Sequence, residues 1–358
     1  MRKRQVLLMV SIAGLLLTAC GEKKEPRATA DLACWRVYAT NEISGDLTVV
    51  AEPAHKLVAT VKVGKRPRGM AVHGSTLYIA LSGWPIAGPG VDENSLPPPD
   101  KNSDAIAIFD TKSLKVTRLI RGVSNPEQLA ISPDGTTLYA ADEDAGAVHV
   151  IGTDGVGHGS IPTGAEPEGT AISPDGALLL VGSEGGGQIT VIDTANGKPL
   201  TSVPVGERPR GIIFSHDGRR AFVTNELGAE MVTLDVAARS VIAKTKIPGK
   251  DSKPMGLAMA KDDSAVFVST GRGGMLVRVP LDGGDQKSVP VGQRPWGIAA
   301  SPDGRFIYTA NGPSNDISVV NAANMAVETK LGAGERPWGV VVGPSPGKCA
   351  TRNANGIQ

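Results

Sequence analysis

Apolar and polar positions alternate in short runs along most of this chain. Ile106-Ala107-Ile108, Ile189-Thr190-Val191 and Ile317-Ser318-Val319 each repeat with a period of two, the period of a strand with one buried face. Upstream of such a run stands a pair of apolar segments, such as Ile298-Ala299-Ala300 and Phe306 to Ala310. Between them lies the turn Ser301-Pro302-Asp303-Gly304, in which Pro presets φ and Gly accepts a positive one. The same turn recurs at Ser132 to Gly135 and Ser173 to Gly176, and at Ser215 to Gly218 with His216 in place of Pro.

A tetrapeptide x-Pro-x-Gly opens each of these units. It stands at Arg66-Pro67-Arg68-Gly69, Glu166-Pro167-Glu168-Gly169, Arg208-Pro209-Arg210-Gly211 and Lys253-Pro254-Met255-Gly256. Arg294-Pro295-Trp296-Gly297 and Arg336-Pro337-Trp338-Gly339 continue it, and Asn125-Pro126-Glu127-Gln128 keeps all but the glycine. The seven prolines are 59, 41, 42, 45, 41 and 42 residues apart. Four predicted strands in about 42 residues is the signature of a propeller blade. Residues 35–64 supply strands two to four of a blade, and after Gly339 only Val340-Val341-Val342 remains. The expectation is an all-β, seven-bladed β-propeller with 1+3 strand closure, its last blade joining the C-terminal strand to three N-terminal ones. Such closure leaves no free sheet edge between first and last blade.

Tyr38-Ala39-Thr40-Asn41 and Val223-Thr224-Asn225, at the second strand, resemble the YVTN-type β-propeller repeat. The likeness covers residues 35–344 and is similar to the YncE-like periplasmic group and to propellers associated with quinoprotein-dependent catabolism. It implies a seven-bladed ring and, for function, an accessory role beside a quinoprotein-dependent oxidation or transport system. The tryptophan-docking repeats of the quinoprotein dehydrogenases themselves are lacking, so no cofactor is predicted.

Composition accounts for the turns and excludes several classes. Of 358 residues, 45 are Gly and 26 are Pro, most of them at fixed offsets in the repeat. Lys and Arg number 37 against 36 Asp and Glu, which is not the footprint of a nucleic-acid-binding protein. Three cysteines exclude a disulfide-dense scaffold. Arg2-Lys3-Arg4 precedes the apolar run Val6 to Leu17, which is shorter than the roughly 20 residues a bilayer span needs and has the form of a secretory signal. Leu17-Thr18-Ala19-Cys20 resembles a bacterial lipobox. The implied organisation is a lipoprotein signal over 1–19, acylated Cys20 with a flexible tether over 20–33, the propeller over 34–349 and a tail over 350–358. Gly21 follows the cysteine where an inner-membrane retention residue would be acidic, so an outer-membrane anchor facing the periplasm is expected. Aligning the repeats places Cys34 and Cys349 at the break in one hairpin, and a Cys34–Cys349 disulfide is expected to staple the ring in an oxidising compartment.

Chemistry is expected on the face that collects the x-Pro-x-Gly motifs. Their second variable residues, Arg68, Glu127, Glu168, Arg210, Met255, Trp296 and Trp338, should surround the channel. Loops after the second strands add Asn41, Glu42, Asp142, Glu143, Asp144, Glu184, Asn225, Glu226, Arg272 and Asn311. This predicts a pocket with acidic and basic sides, in which Arg68 and Arg210 hold an anion and the tryptophans stack on a flat ligand. Arg66, Arg208, Arg294 and Arg336 belong to the repeat and are expected to be structural. The 59-residue interval carries an insertion at 82–103, Pro-rich and bearing Trp84, which is expected to cap the channel mouth or dock a partner. No nucleophile elbow and no helical His pair is present, so no catalytic or metal residue is assigned. The function expected is an envelope-anchored, monomeric, non-catalytic module binding a protein or a small anionic or aromatic ligand, without nucleic acid. The alternative is a lactonase-like hydrolase holding a channel metal on Glu42, Glu184 and Asn225.

Overall fold

The computed structural model describes residues 35–86, 92 and 95–346. Cys20, Cys34 and Cys349, with the expected signal, tether and tail, lie outside the described residues. Strands β1 (Trp35–Asn41), β2 (Asp46–Glu52) and β3 (Lys56–Lys62) form one antiparallel sheet together with the C-terminal strand β28 (Pro337–Pro344). β28 runs antiparallel to β1, with Trp35 opposite Pro344 and Ala39 opposite Val340. The remaining strands make six more four-stranded sheets in chain order, opening with β4 (Pro67–His73), β8 (Pro126–Ile131), β12 (Pro167–Ile172), β16 (Pro209–Phe214), β20 (Leu257–Met259) and β24 (Pro295–Ala300). These are blades one to six, and β28 opens blade seven. The fold is the expected seven-bladed propeller with 1+3 closure.

The hydrophobic core is divided among the seams. Seven buried clusters each draw on two neighbouring blades; one joins Tyr38, Leu47 and Val49 to Leu77, Ile79 and Phe109. Outer strands such as β3 are largely exposed while second strands such as β1 are buried throughout. The alternating runs Ile106-Ala107-Ile108, Ile189-Thr190-Val191 and Ile317-Ser318-Val319 fall on third strands that are largely buried, Thr190 and Ser318 included, because neighbouring blades cover both faces.

The motif acts where innermost strands meet around the channel. Opposite the second strand, pairing jumps from the proline to the residue three further on, as between Pro67 and Met70 or Pro295 and Ile298. This bulge frees the intervening residues from the ladder and turns the variable side chain toward the channel mouth. The glycine allows close approach by the next blade: a Cβ at Gly169 would lie 2.0 Å from the Arg210 carbonyl oxygen, and one at Gly339 would lie 2.7 Å from that of Arg68. Hydroxyls lock some of these seams. Thr40 Oγ1 accepts from Gly339 N (2.9 Å) and donates to the Arg68 carbonyl (2.8 Å); Thr224 does the same between Gly211 N and the Met255 carbonyl.

Candidate functional site

A cavity of about 530 Å³ opens at the motif end of the channel, within the usual range for small-molecule sites, and is lined by seven arginines and eight carboxylates. The residue before the motif proline takes a left-handed backbone at Arg66, Asn125, Glu166, Arg208, Arg294 and Arg336, with φ between 42° and 57°. For non-glycine residues this is an uncommon conformation with a cost. It aims these side chains at the mouth, beside the loop that follows a second strand.

Most charges there are mutually neutralised. Glu42, 4% exposed, sits among Arg66 at 2.8 Å, Arg336 at 3.3 Å and Arg68 at 3.9 Å. Burial alone would raise its carboxyl, but attraction by Arg66, Arg68 and Arg336 outweighs this and holds it below the usual range. Arg68 also pairs with Glu127, and its guanidinium lies 4.8 Å from the Trp338 ring centroid. Burial, followed by repulsion from Arg66, pushes Arg68 down to about 10, against the pull of Glu42, Glu143 and Glu168. Arg210 gathers three carboxylates: Glu168, Glu184 and, at 2.7 Å, Glu226. Burial opposes its charge, yet Glu168 and Glu226 hold its proton more tightly than usual. Arg208 pairs with Glu184.

Two places escape this pairing. In blade two, Glu143 is flanked by motif positions occupied by Asn125 and Glu166 where other blades carry arginine. Its Oε2 accepts from Asn125 Nδ2 at 2.7 Å and it makes no ion pair. Burial raises the Glu143 carboxyl, with repulsion from Glu168 and Asp144 adding to it and Arg68 and Arg66 opposing it. In blades five and six the loop positions are Gly271 and Gly312, without a carboxylate. There Arg272 and Arg294 line the cavity and neither is ion-paired; Arg294 lies 5.2 Å from the Trp296 ring centroid. Burial lowers Arg294, and Arg336 and Arg272 add to this. By blade order these two places lie across the ring from one another: a half-buried carboxylate faces uncompensated cations.

Blade two also departs from the repeat beneath Glu143. In blades seven and six, Asn41 and Asn311 donate to Thr48 (2.9 Å) and Ser318 (2.8 Å). Blade two has Asp142 and His149 at these positions, joined at 2.8 Å. Asp142, buried, further accepts from Ser124 N at 2.7 Å and Ala145 N at 3.0 Å, which fixes both loops that present Asn125 and Glu143.

The rest of the wall is largely apolar and includes three tryptophans. Trp296 and Trp338 stack with ring centroids 5.4 Å apart and planes 30° apart. Trp84 comes from the insertion and is anchored: its indole Nε1 donates to Asp144 Oδ2 at 3.3 Å, and Lys101, paired with Asp144, sits 5.0 Å from its ring centroid.

The channel mouth therefore collects Arg68, Glu127, Glu168, Arg210, Trp296, Trp338 and Trp84. Met255 is the exception. It is 3% exposed and lies off the cavity lining, because Lys253 lacks the left-handed backbone of its counterparts and the blade's inner strand begins only at Leu257. Three further expectations are corrected. Arg68 and Arg210 are saturated by glutamates and are not the free anion holders; Arg272 and Arg294 are the unpaired cations. The repeat arginines do pair structurally, as at Arg66, Arg208 and Arg336, but they also line the cavity. Glu42, Glu184 and Asn225 do not converge on a metal. The two glutamates are bound to arginines, and Asn225 is buried with its amide donating to the Val205 carbonyl at 2.7 Å. Among the described residues no group of three or more His, Cys, Asp or Glu side chains is placed to hold a metal ion.

A family model described as lactonase, seven-bladed beta-propeller matches residues 100–205 and 172–329. No curated protein matches the chain. Among solved structures, Kuenenia stuttgartiensis hydrazine synthase is similar at 22% identity and a TM-score of 0.69, over 80% of this chain and 92% of that one. A functionally unknown protein from Desulfotomaculum acetoxidans is 16% identical with a TM-score of 0.70, over 86% of this chain and 98% of that one. A Bacteroides uniformis protein provisionally assigned as a 6-phosphogluconolactonase is 16% identical with a TM-score of 0.68, over 86% of this chain and 99% of that one. At these identities the likeness is one of fold.

Proposed function

The chain belongs to the lactonase family of seven-bladed β-propellers, and from that premise we propose that it hydrolyses a lactone at the channel mouth. The observation that carries this reading is Glu143, a half-buried carboxylate whose pKa is raised and which has no cation paired to it, set across the cavity from Arg272 and Arg294. A carboxyl tuned upward toward neutrality is suited to general-base work. Glu143 takes a proton from water as the water oxygen bonds to the lactone carbonyl carbon. The arginines supply positive charge for the oxyanion that develops. The ring C–O bond then breaks, the leaving alkoxide recovers the proton from Glu143, and the product is a hydroxy acid. Trp296, the more exposed member of the stacked pair, presents its ring at the cavity wall beside Arg294 and is placed to contact the ring of the substrate. This reading replaces the non-catalytic role expected from the sequence, and no metal step enters it, because Glu42 and Glu184, on which the metal alternative relied, are bound to arginines.

The test is acid release from a panel of γ- and δ-lactones, including sugar lactones with and without a phosphate, followed by pH-stat on purified protein. Turnover that survives a chelator is expected, and failure to open any lactone refutes the reading.

For location we propose that residues 1–19 are a lipoprotein signal, that acylated Cys20 anchors the YVTN-like ring to the outer membrane facing the periplasm, and that Cys34 and Cys349 are joined. Mass spectrometry of the mature chain under non-reducing conditions reads all three at once. The expected result is an N-terminal diacylglyceryl cysteine and a Cys34–Cys349 cross-linked peptide; an unmodified Cys20 or two free thiols rejects the corresponding part.

A further inference from the structure

A second cavity, of about 510 Å³, adjoins the channel mouth. Glu42, Arg66, Trp84, Pro85 and Ile86 line both. Its walls are the apolar side chains of Ile43 on the blade-seven loop and Trp84, Pro85 and Ile86 on the blade-one insertion. Ile43 is 53% exposed, a large apolar group left uncovered where a ligand site begins. Leu227 follows Glu226 in blade four as Ile43 follows Glu42 in blade seven, and is also exposed. It has no insertion facing it. One side of the wall is held in place. Trp84 is fixed by Asp144 and Lys101, and its backbone N–H donates to Ser82 Oγ at 3.1 Å. The cations at the rim are already engaged, Lys62 with Asp46 at 3.3 Å, Lys65 with Asp100 at 3.6 Å and Arg66 with Glu42. What the cleft offers a ligand is apolar area.

We infer that this cleft takes the hydrocarbon arm of an amphipathic ligand whose polar head occupies the channel mouth. Resting on the hydrolase reading, this makes the substrate class a lactone that carries an acyl or alkyl chain. Continuity with the channel cavity selects this occupant. A chain entering the cleft past Trp84 remains covalently linked to a head group beside Arg66 and Glu42, whereas a protein side chain docking from outside would leave the channel empty.

The test uses binding as well as turnover. Butyrate, octanoate and dodecanoate are titrated calorimetrically into the wild-type protein, into Ile43→Ser and Ile86→Ser, and into Leu227→Ser as the control at the equivalent exposed position. Burial of each methylene is worth up to about fourfold in affinity, so a rise of roughly two- to fourfold per methylene is expected in wild type and Leu227→Ser. The slope should flatten in the two cleft variants. Affinity independent of chain length, or an equal slope in all four proteins, overturns the inference. The two readings separate cleanly. Chain-length-dependent binding without turnover of any lactone keeps the cleft and removes the hydrolase. Turnover of short and long-chain lactones with equal kcat/KM, together with a flat binding series, keeps the hydrolase and removes the cleft.

Discussion

Arg210→Met is expected to destabilise the ring by about 3–5 kcal/mol, the usual cost of stripping one partner from a buried ionic network. The guanidinium is about 10% exposed and faces Glu168, Glu184 and Glu226, whose side chains are 7%, 10% and 11% exposed. Glu168 and Glu184 belong to blade three and Glu226 to blade four, so the network spans a seam. Methionine roughly keeps the hydrocarbon volume and stays near the Trp296 face, 5.5 Å from the arginine in the native protein, so lost packing is a small part of the effect. The main part is three carboxylates left close together, Glu168 with no cation beside it and Glu184 and Glu226 sharing only the more exposed Arg208. Arg210→Lys should recover only part of the loss, because an ammonium cannot present a planar fork to several carboxylates. Adding Glu168→Gln and Glu184→Gln to Arg210→Met should recover more, since the unpaired charge and its nearest like-charged neighbour are then removed and Arg208 remains for Glu226. Urea denaturation of the four proteins checks this. A methionine variant within 1 kcal/mol of wild type would mean that solvent, not Arg210, compensates the three glutamates.

The spacing of the seven prolines carries the architecture because six of them sit at the same physical event, a left-handed residue followed by a bulge, and six carry a glycine that lies under the next blade's carbonyl. Arg68, Glu127, Glu168, Arg210, Trp296 and Trp338 could be placed at the channel on that ground alone. Their electrostatic state could not, since it depends on which loop of the adjoining blade each arginine meets. A repeat read along one dimension hides that contact. Met255 was misplaced because an intact x-Pro-x-Gly string at Lys253 to Gly256 does not ensure the backbone that accompanies it elsewhere. Glu143 stood among the loop residues without distinction, although a signal was there. Asn125 and Glu166 occupy the positions that carry arginine in blades one, four, six and seven, so the glutamate between them lacks the partners of Glu42, Glu184 and Glu226. The converse holds at Gly271 and Gly312, where missing glutamates leave Arg272 and Arg294 unpaired. Departures from the repeat mark the unpaired charges of the channel mouth, and the repeat itself marks the scaffold.

Glu143→Gln is expected to lower kcat on the best lactone by about 10²- to 10⁴-fold, the usual contribution of a positioned general base, while the fold is kept. Gln is close to isosteric and its carbonyl oxygen can still accept from Asn125 Nδ2, so the loop geometry has no reason to change. Two pH profiles separate this from a structural role. Wild-type kcat/KM should rise with pH through the raised pKa of Glu143, placing the acid limb above the ordinary glutamate range of about 4.3, and the variant's residual rate should lack that limb. Stability should move the other way. A carboxyl whose pKa is raised by folding contributes stability that is complete below the ordinary glutamate value and is lost as pH rises through the raised one. Wild type and Glu143→Gln should therefore be equally stable near pH 4, and the variant more stable at neutral pH. An acid limb that persists in the variant would transfer the base to a neighbouring carboxylate, Asp144 or Glu166. A variant that loses stability at neutral pH would show that ionised Glu143 is held by the arginines after all, and would remove the ground on which it is chosen as the base.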